Sequence, residues 1–406
     1  MKLQFDPEDP LFQKLKIGNH IFPGVWSYLM PPEFLKLDFP DERCSTCMSC
    51  PKVPAENWRN DYRCCTYHPR VPNFALGLAL TTKEGVVAFD KSFELGMLVP
   101  EGMTHSPKQY VDYLDDLEMD QFGKSKKVLC PMLDEPTGFC NIHAFRNSVC
   151  STFFCNKDHG DKGDSFWSAM QLLGSQLEIG LSQWCLERLG FDVKAYSERF
   201  DDLSKNISKC IGPRGGFSSS ALKSLWGEWY GKEKELFTEC GKLVSRYRGV
   251  LFEVAADYDI KEAKKFDFAQ LEYVPDRLSE QIDDDEWDQD GDVINPRDLW
   301  QSCLKKYNKL WVLPSNPLKL NRKVKLLNCS ESGSSRPFRL KMMECLRSSK
   351  VDFELDLSQV EFELVKVFEE ARKIDWQILD QFKHHSTVRR FLAEIYSRKI
   401  LVPARI

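Results

Sequence analysis

Long apolar runs are what this sequence most clearly lacks. The longest, such as Phe74 to Leu80, extend for only a few residues. A membrane-spanning helix needs about 20, so none is expected. Neither sign of charge dominates: 56 basic residues face 61 acidic ones, a net charge of -5. That balance gives no overall pull toward nucleic acid or acidic lipid. Met1 to Pro10 has no apolar run and carries Asp6, Glu8 and Asp9, which argues against a secretory signal, and a cytoplasmic location is the expectation. No Gly-x-Gly-x-x-Gly occurs, so no recognisable dinucleotide or S-adenosylmethionine loop is present. No nucleophile–base pair or carboxylate dyad stands out, and there is no internal repeat.

Cysteine is abundant instead. There are 15 in 406 residues, nine of them between Cys44 and Cys155. A reducing compartment does not keep disulfides, so such a cluster reads as metal-binding or redox-active. The other six (Cys185, Cys210, Cys240, Cys303, Cys329, Cys345) are scattered and read as small buried hydrophobes.

Texture divides the chain into four segments. Residues 1–43, rich in proline and aromatics, read as an irregular arm that wraps another part. Residues 44–160 hold the cysteines, with a helix expected at Gln109–Met119 and an undecided helix or strand at Asn73–Leu80. Residues 161–350 read as a helical domain: a long amphipathic helix over Ser165–Leu189, helices over Ala221–Tyr230 and Lys232–Tyr258 broken by Gly227, Gly231 and Gly241, and one capped by Asn295-Pro296. Trp311–Leu313 and Val324–Leu327 are short strand candidates. Residues 351–406 give a strand, a helix capped by Ser358, a short helix near Trp376–Phe382, a helix capped by Ser386 and a strand, the outline of a winged helix. The fold class expected is mainly α with small β elements.

The cluster opens Cys44-Ser-Thr-Cys47-Met-Ser-Cys50-Pro51, continues with Cys64-Cys65, Cys130-Pro131 and Gly138-Phe-Cys140-Asn-Ile-His143, and closes Arg146-Asn-Ser-Val-Cys150-Ser-Thr-Phe-Phe-Cys155. Two residues between cysteines let a tight turn aim both sulfurs at one ion. Nine thiols suffice for two four-thiolate centres with one to spare, or for one cluster and a redox pair. Cys64 and Cys65 are adjacent, so their side chains are expected to diverge, one ligating and one packing. The expected ligands are Cys44, Cys47, Cys50, Cys65, Cys130, Cys140, Cys150 and Cys155, and the expected cofactor is an iron–sulfur cluster or zinc. Cys50-Pro51 and Cys130-Pro131 are ferredoxin-like, while an all-thiolate set also suits a closed zinc site. Trp58, Phe139, Phe153 and Phe154 would either shield an oxidisable cluster or serve as ordinary core.

With these motifs in place, residues 44–156 resemble the YkgJ-like cysteine-cluster family, described as zinc- or iron-chelating. The resemblance rests on Cys44, Cys47, Cys50, Cys130, Cys140, Cys150 and Cys155, with Pro51 where the family has a second adjacent cysteine and Asn147 where it tends to have proline. It implies a metal site rather than a particular reaction. Flagellin lysine N-methylases are similar in carrying such a cluster. A metal-binding protein whose centre has a structural, carrier or sensing role is therefore the first reading. An enzyme using the centre, such as a protein lysine N-methyltransferase or a redox protein, is the alternative.

Other motifs are weaker. His143 and His68 each lie three residues after a cysteine and read as neighbours of a metal site rather than as ligands. His159 reads as a loop residue. The acidic run from Asp283 through Asp292 lacks the glutamate that completes a calcium loop, since Arg297 stands there, and reads as a solvated linker. Gly212-Pro-Arg214-Gly215-Gly216 reads as a mobile connection. Arg389, Arg390, Arg398 and Lys399 lie on or beside the last helix, but Glu369, Glu370 and Glu394 are close and no wider basic patch supports DNA binding. The C-terminal module is expected to contact an unidentified protein partner, with the arginines covering apolar surface or pairing with those glutamates; neither nucleic acid nor membrane is an expected partner.

Overall fold

The structure is a computed structural model. It describes residues 6, 8–39, 62, 64–119, 121–154, 159–204, 207–261, 295–310, 318–320, 324–328, 338–342, 353–370, 386–397 and 400–403. The chain opens with an antiparallel hairpin, β1 (Lys14–Ile17) and β2 (His20–Pro23), and one helical turn, α1 (Trp26–Leu29). Next come β3 (Val71–Pro72), α2 (Asn73–Ala79), α3 (Lys83–Glu94), β4 (Leu98–Val99) and β5 (Gly102–Met103), the strands forming a sheet in the order β3-β5-β4. Then follow α4 (Pro107–Glu118), the hairpin of β6 (Leu133–Asp134) and β7 (Phe139–Cys140), and α5 (Ser148–Thr152). The helical part comprises α6 (Gly160–Arg188), α7 (Val193–Ser204), α8 (Ile207–Cys210), α9 (Ser219–Trp226), α10 (Glu233–Tyr247), α11 (Leu251–Ala256) and α12 (Pro296–Leu310). The C-terminal elements are β8 (Leu318–Leu320), β9 (Val324–Asn328), β10 (Phe338–Met342), β11 (Phe353–Leu357), α13 (Gln359–Glu370), α14 (Ser386–Ser397) and β12 (Leu401–Pro403). The molecule is mainly helical with small sheets, as its apolar spacing implies.

The axis is α6, 29 residues and therefore about 44 Å long. Its apolar residues Phe166, Met170, Leu173, Leu177, Leu181 and Cys185 are all fully buried. Helices α2, α5, α10, α11, α12 and α14 all touch it. None of the described helices is long and apolar enough to cross a membrane.

One hydrophobic cluster runs from Leu11 to Leu310 and does not divide near residues 43 or 160. The arm is part of this core. Phe22 stacks on Trp26 at 5.2 Å, and Phe39 stacks on Trp167 of α6 at 5.6 Å. Phe154 meets the same Trp167 edge-on at 4.7 Å. The described buried residues on either side of 43 and 160 belong to this one cluster.

Several local expectations meet a physical outcome here. Asn73–Leu80 becomes helix α2 with every residue from Asn73 to Ala79 buried, so it has no polar face to reveal a period. Ser106 and Gln109 form a reciprocal capping box that starts α4. Asn295 Oδ1 accepts from Arg297 N at 2.8 Å ahead of α12. Gly227, at φ 53°, does end α9. Gly241 does not break its helix: it sits inside α10 where α2 crosses. A Cβ on Gly77 of α2 would lie 1.8 Å from the Phe237 carbonyl oxygen, and one on Gly241 2.9 Å from the Gly77 backbone. The two glycines let the backbones touch. Gly212–Gly216 is not a loose connection either. Gly212 N donates to Gly216 O at 2.7 Å, and Phe217 N donates to Gly96 O at 2.9 Å. Cys185, Cys210, Cys240 and Cys303 are buried as expected; Cys329 and Cys345 lie outside the described residues, as do Trp311–Leu313 and the acidic run.

At the C-terminus, Ser358 caps α13, with Glu361 Oε2 accepting from Ser358 N at 2.7 Å. The strands do not stay within 351–406. β11 pairs with β10, which pairs with β9, while β12 pairs with β8. The unit therefore draws on residues from Leu318 onward. The short helix near Trp376 lies outside the described residues. Phe391, Leu392 and Ile395 of α14 face inward. Arg390 forms an ion pair with Asp38 of the arm and donates to Asp38 O at 2.8 Å, a partner the sequence did not indicate.

The glycine crossing gives a stability test. Gly77→Ala should lower the urea midpoint by the equivalent of about 3 kcal/mol, the upper end for overpacking because the obstacle is backbone. Gly249→Ala, with nothing within 4 Å of the new Cβ, should leave the midpoint within about 0.5 kcal/mol of the parent.

Candidate metal centre

The cysteine-bearing elements are short and are fixed by backbone bonds. Cys65 N donates to Tyr62 O at 3.0 Å, and Cys130 N donates to Cys65 O at 2.7 Å, which joins the first turn to the second. Leu133 N donates to Cys130 O at 3.0 Å, a turn with Pro131 at a position suited to its fixed φ. Pairing of Leu133 with Cys140 then brings β7 alongside.

Cys150 comes from the other direction, on five-residue α5. Three consecutive side chains place it. Arg146 donates to Cys150 O at 3.1 Å and to Ile21 O of β2 at 2.7 Å. Asn147 caps the helix, its Oδ1 accepting from Cys150 N at 3.0 Å, while its Nδ2 donates to Arg70 O at 2.7 Å. Ser148 donates from its backbone N at 3.0 Å and from its hydroxyl at 2.9 Å to Glu178 Oε2 of α6. An added Cβ on Gly174, one turn before Glu178, would lie 2.7 Å from Ser148 Cβ, so a glycine is required for α5 to lie against α6.

These connections gather Cys64, Cys65, Cys130, Cys140 and Cys150 into one electrostatic neighbourhood. The Cys65 thiol is held well above its usual range by a hydrogen bond with Cys64, by burial and by the fields of Cys64, Cys130 and Cys140. Burial, and then Cys140 and Cys64, push the Cys130 thiol up. Burial, Cys130, Cys64 and Cys140 raise that of Cys150, with Arg146 opposing them.

Each of the four expected ligands among the described residues, Cys65, Cys130, Cys140 and Cys150, lies within reach of the field of at least one other thiol of the group. Cys44, Cys47, Cys50 and Cys155 lie outside the described residues. Among the described residues, no group of three or more His, Cys, Asp or Glu side chains is close enough to hold a metal ion. His68 turns elsewhere: its Nε2 lies 3.2 Å from Leu129 O, and burial lowers its pKa to about 4. His143 is buried in a short 3-10 turn, and His159 is buried where α6 begins. Phe139 and Phe153 are exposed, whereas Phe154 belongs to the aromatic core, so these rings do not form one shield. Trp58 lies outside the described residues.

Glu178 was not foreseen. Its signal in the sequence is a lone acid within the apolar stripe of α6, between Leu177 and Leu181. Asn147 was legible only as a departure from the family pattern; its structural role is the helix cap. No family model, curated protein or solved structure matches the chain.

Burial pushes the Glu178 carboxyl up to about 7 from the ordinary 4.5, with the Ser148 bonds pulling the other way. An acid raised on folding stabilises fully below its unfolded pKa, and that contribution is lost as pH rises toward the folded one. Glu178→Gln removes the dependence. Measured by urea unfolding, the variant should gain on the parent between pH 5 and 7 and then plateau, by on the order of 3 kcal/mol. Parallel stability curves for the two proteins would show that Glu178 is ionised in the native state.

Proposed function

We propose that this chain is a metal-binding protein of the cysteine-cluster type, its thiolates holding zinc or an iron–sulfur cluster. What supports the reading is that the fields of Cys64, Cys130 and Cys140 act on both Cys65 and Cys150, thiols carried by a turn, a second turn, a hairpin and a helix. The donor chemistry suits such a centre: sulfur ligands favour zinc and iron, and four per centre is usual. Cys65, Cys130, Cys140 and Cys150 would supply ligands from this group, with Cys44, Cys47, Cys50 and Cys155 completing the set. When bound, the metal would cross-link elements too short to be stable alone. The resemblance to the YkgJ-like family points the same way.

Metal analysis and the visible spectrum of anaerobically purified protein test this. Iron with a broad visible absorption assigns a cluster; zinc in a colourless sample assigns a zinc site. Cys130→Ser and Cys150→Ser should each lower metal content severalfold. A parent protein with no bound metal after anaerobic purification would overturn the reading.

Chelation should act locally, because residues 44–160 do not rely on metal alone for a core. Helix α2 is buried against α10, and α5 against α6. Hydrogen exchange after metal removal should rise in residues 62–68 and 129–142, while α2 and α6 stay protected. Loss of protection throughout α2 would show that the metal organises the whole segment.

A further inference from the structure

Two thiols outside the candidate centre touch each other. Cys185, in the last turn of α6, and Cys240, in the middle of α10, are both fully buried. Cys185 Sγ lies 4.0 Å from Cys240 O, and the two thiols share a hydrogen bond. Contacts on either side align the helices here. Two turns on from Cys240, Tyr247 of α10 meets Trp184 of α6 edge-on at 5.3 Å, and Arg188 Nη2 donates to the Tyr247 hydroxyl at 3.2 Å. On the other side, Gly241 brings α10 against α2: a Cβ there would lie 2.9 Å from the Gly77 backbone. Helix α10 is thus held between α2 and α6, with Cys240 against α6. Cys210 shows the contrast: its thiol donates at 3.1 Å to Leu203 O, within its own stretch of chain.

A disulfide needs its two β-carbons about 4 Å apart, and thiols already in hydrogen-bond contact need only a small turn about χ1 to reach bonding distance. The bond would join positions 55 residues apart in sequence. Closing so long a loop restricts the unfolded chain strongly, so the linked protein resists unfolding. The site also selects its oxidant. The hydrogen bond and burial hold the Cys185 thiol well above its usual range, so it stays protonated at neutral pH. Thiol–disulfide exchange runs through a thiolate, and a charged partner such as oxidised glutathione would have to enter an apolar core. A small uncharged two-electron oxidant, a peroxide or a diazene, incurs no such desolvation.

We propose that Cys185 and Cys240 are a redox-responsive pair, which a small neutral oxidant joins in a disulfide that fastens α6 to α10. Two S–H bonds break and one S–S bond forms. The two electrons and two protons pass to the oxidant, turning a diazene into a hydrazine or hydrogen peroxide into two waters. The pair is independent of the metal reading. The test treats the folded full chain with diamide, a neutral diazene, then alkylates it in denaturant and digests it with trypsin without reduction. Residues 163–188 and 235–242 are tryptic peptides with one cysteine each, Cys185 and Cys240. The expected main product of both is the linked pair, in the parent and equally in Cys130→Ser. Oxidation should raise the urea midpoint of the parent and not that of Cys240→Ala. Recovery of both peptides in alkylated form, or of Cys185 joined mainly to other cysteines, overturns the proposal. So does an equal shift of midpoint in the parent and in Cys240→Ala.

Discussion

The Ser148–Glu178 contact is the joint on which the cysteine-bearing half depends. A five-residue helix pays the full cost of nucleation and recovers little by propagation, so α5 cannot hold Cys150 in place by itself. It is fixed from outside. Glu178, from the middle of the longest helix, takes both donors of Ser148. The preceding Asn147 ties the helix to Arg70, and Arg146 ties it to β2. Three successive residues thus secure one short helix to three separate elements. A carboxyl group buried at that depth is costly, and the two Ser148 hydrogen bonds offset part of the cost.

The same joint helps to connect the cysteine-bearing segment to the cluster that spans Leu11 to Leu310. Once α5 lies against α6, Phe154 is carried into the ring cluster that includes His20 and Trp167. Proline and aromatic residues in the arm supply the rest of that cluster without needing a long element of their own. Tyr307 of α12 closes the far side, its hydroxyl donating to Asp38 O at 3.1 Å. Arg390 takes the same carbonyl from α14. The arm is therefore the common surface on which α6, α12 and the C-terminal unit meet.

What was legible in the sequence follows from which interactions are local. The α6 stripe, the Ser106 and Ser358 boxes and the Asn295-Pro296 start are set by neighbours within a few residues, and each could be read directly. Helix α2 could not, because burial on all sides erases the contrast that gives periodicity. Gly241 read as a breaker because propensity is local, whereas its purpose is the crossing with Gly77. The strand partners of β11 and β12 lie before residue 351, and pairing across such distances leaves no spacing signal. At the candidate centre, the cysteines were visible as residue types and spacings. Glu178, which positions one of them from a different helix, was not.

The backbone that carries Cys65, Cys130 and Cys140 is ordered by main-chain bonds and strand pairing. Cys130 is bonded to Cys65 through the main chain, and Cys140 is aligned by register with Leu133. Cys150 is held by its cap and by α6. An ion entering such a group would meet ligands whose backbone is already ordered, so less of its binding free energy would go into ordering the chain. That separates this arrangement from small zinc modules, which are unfolded until metal binds. Here the large shared core orders the backbone on which the thiols sit.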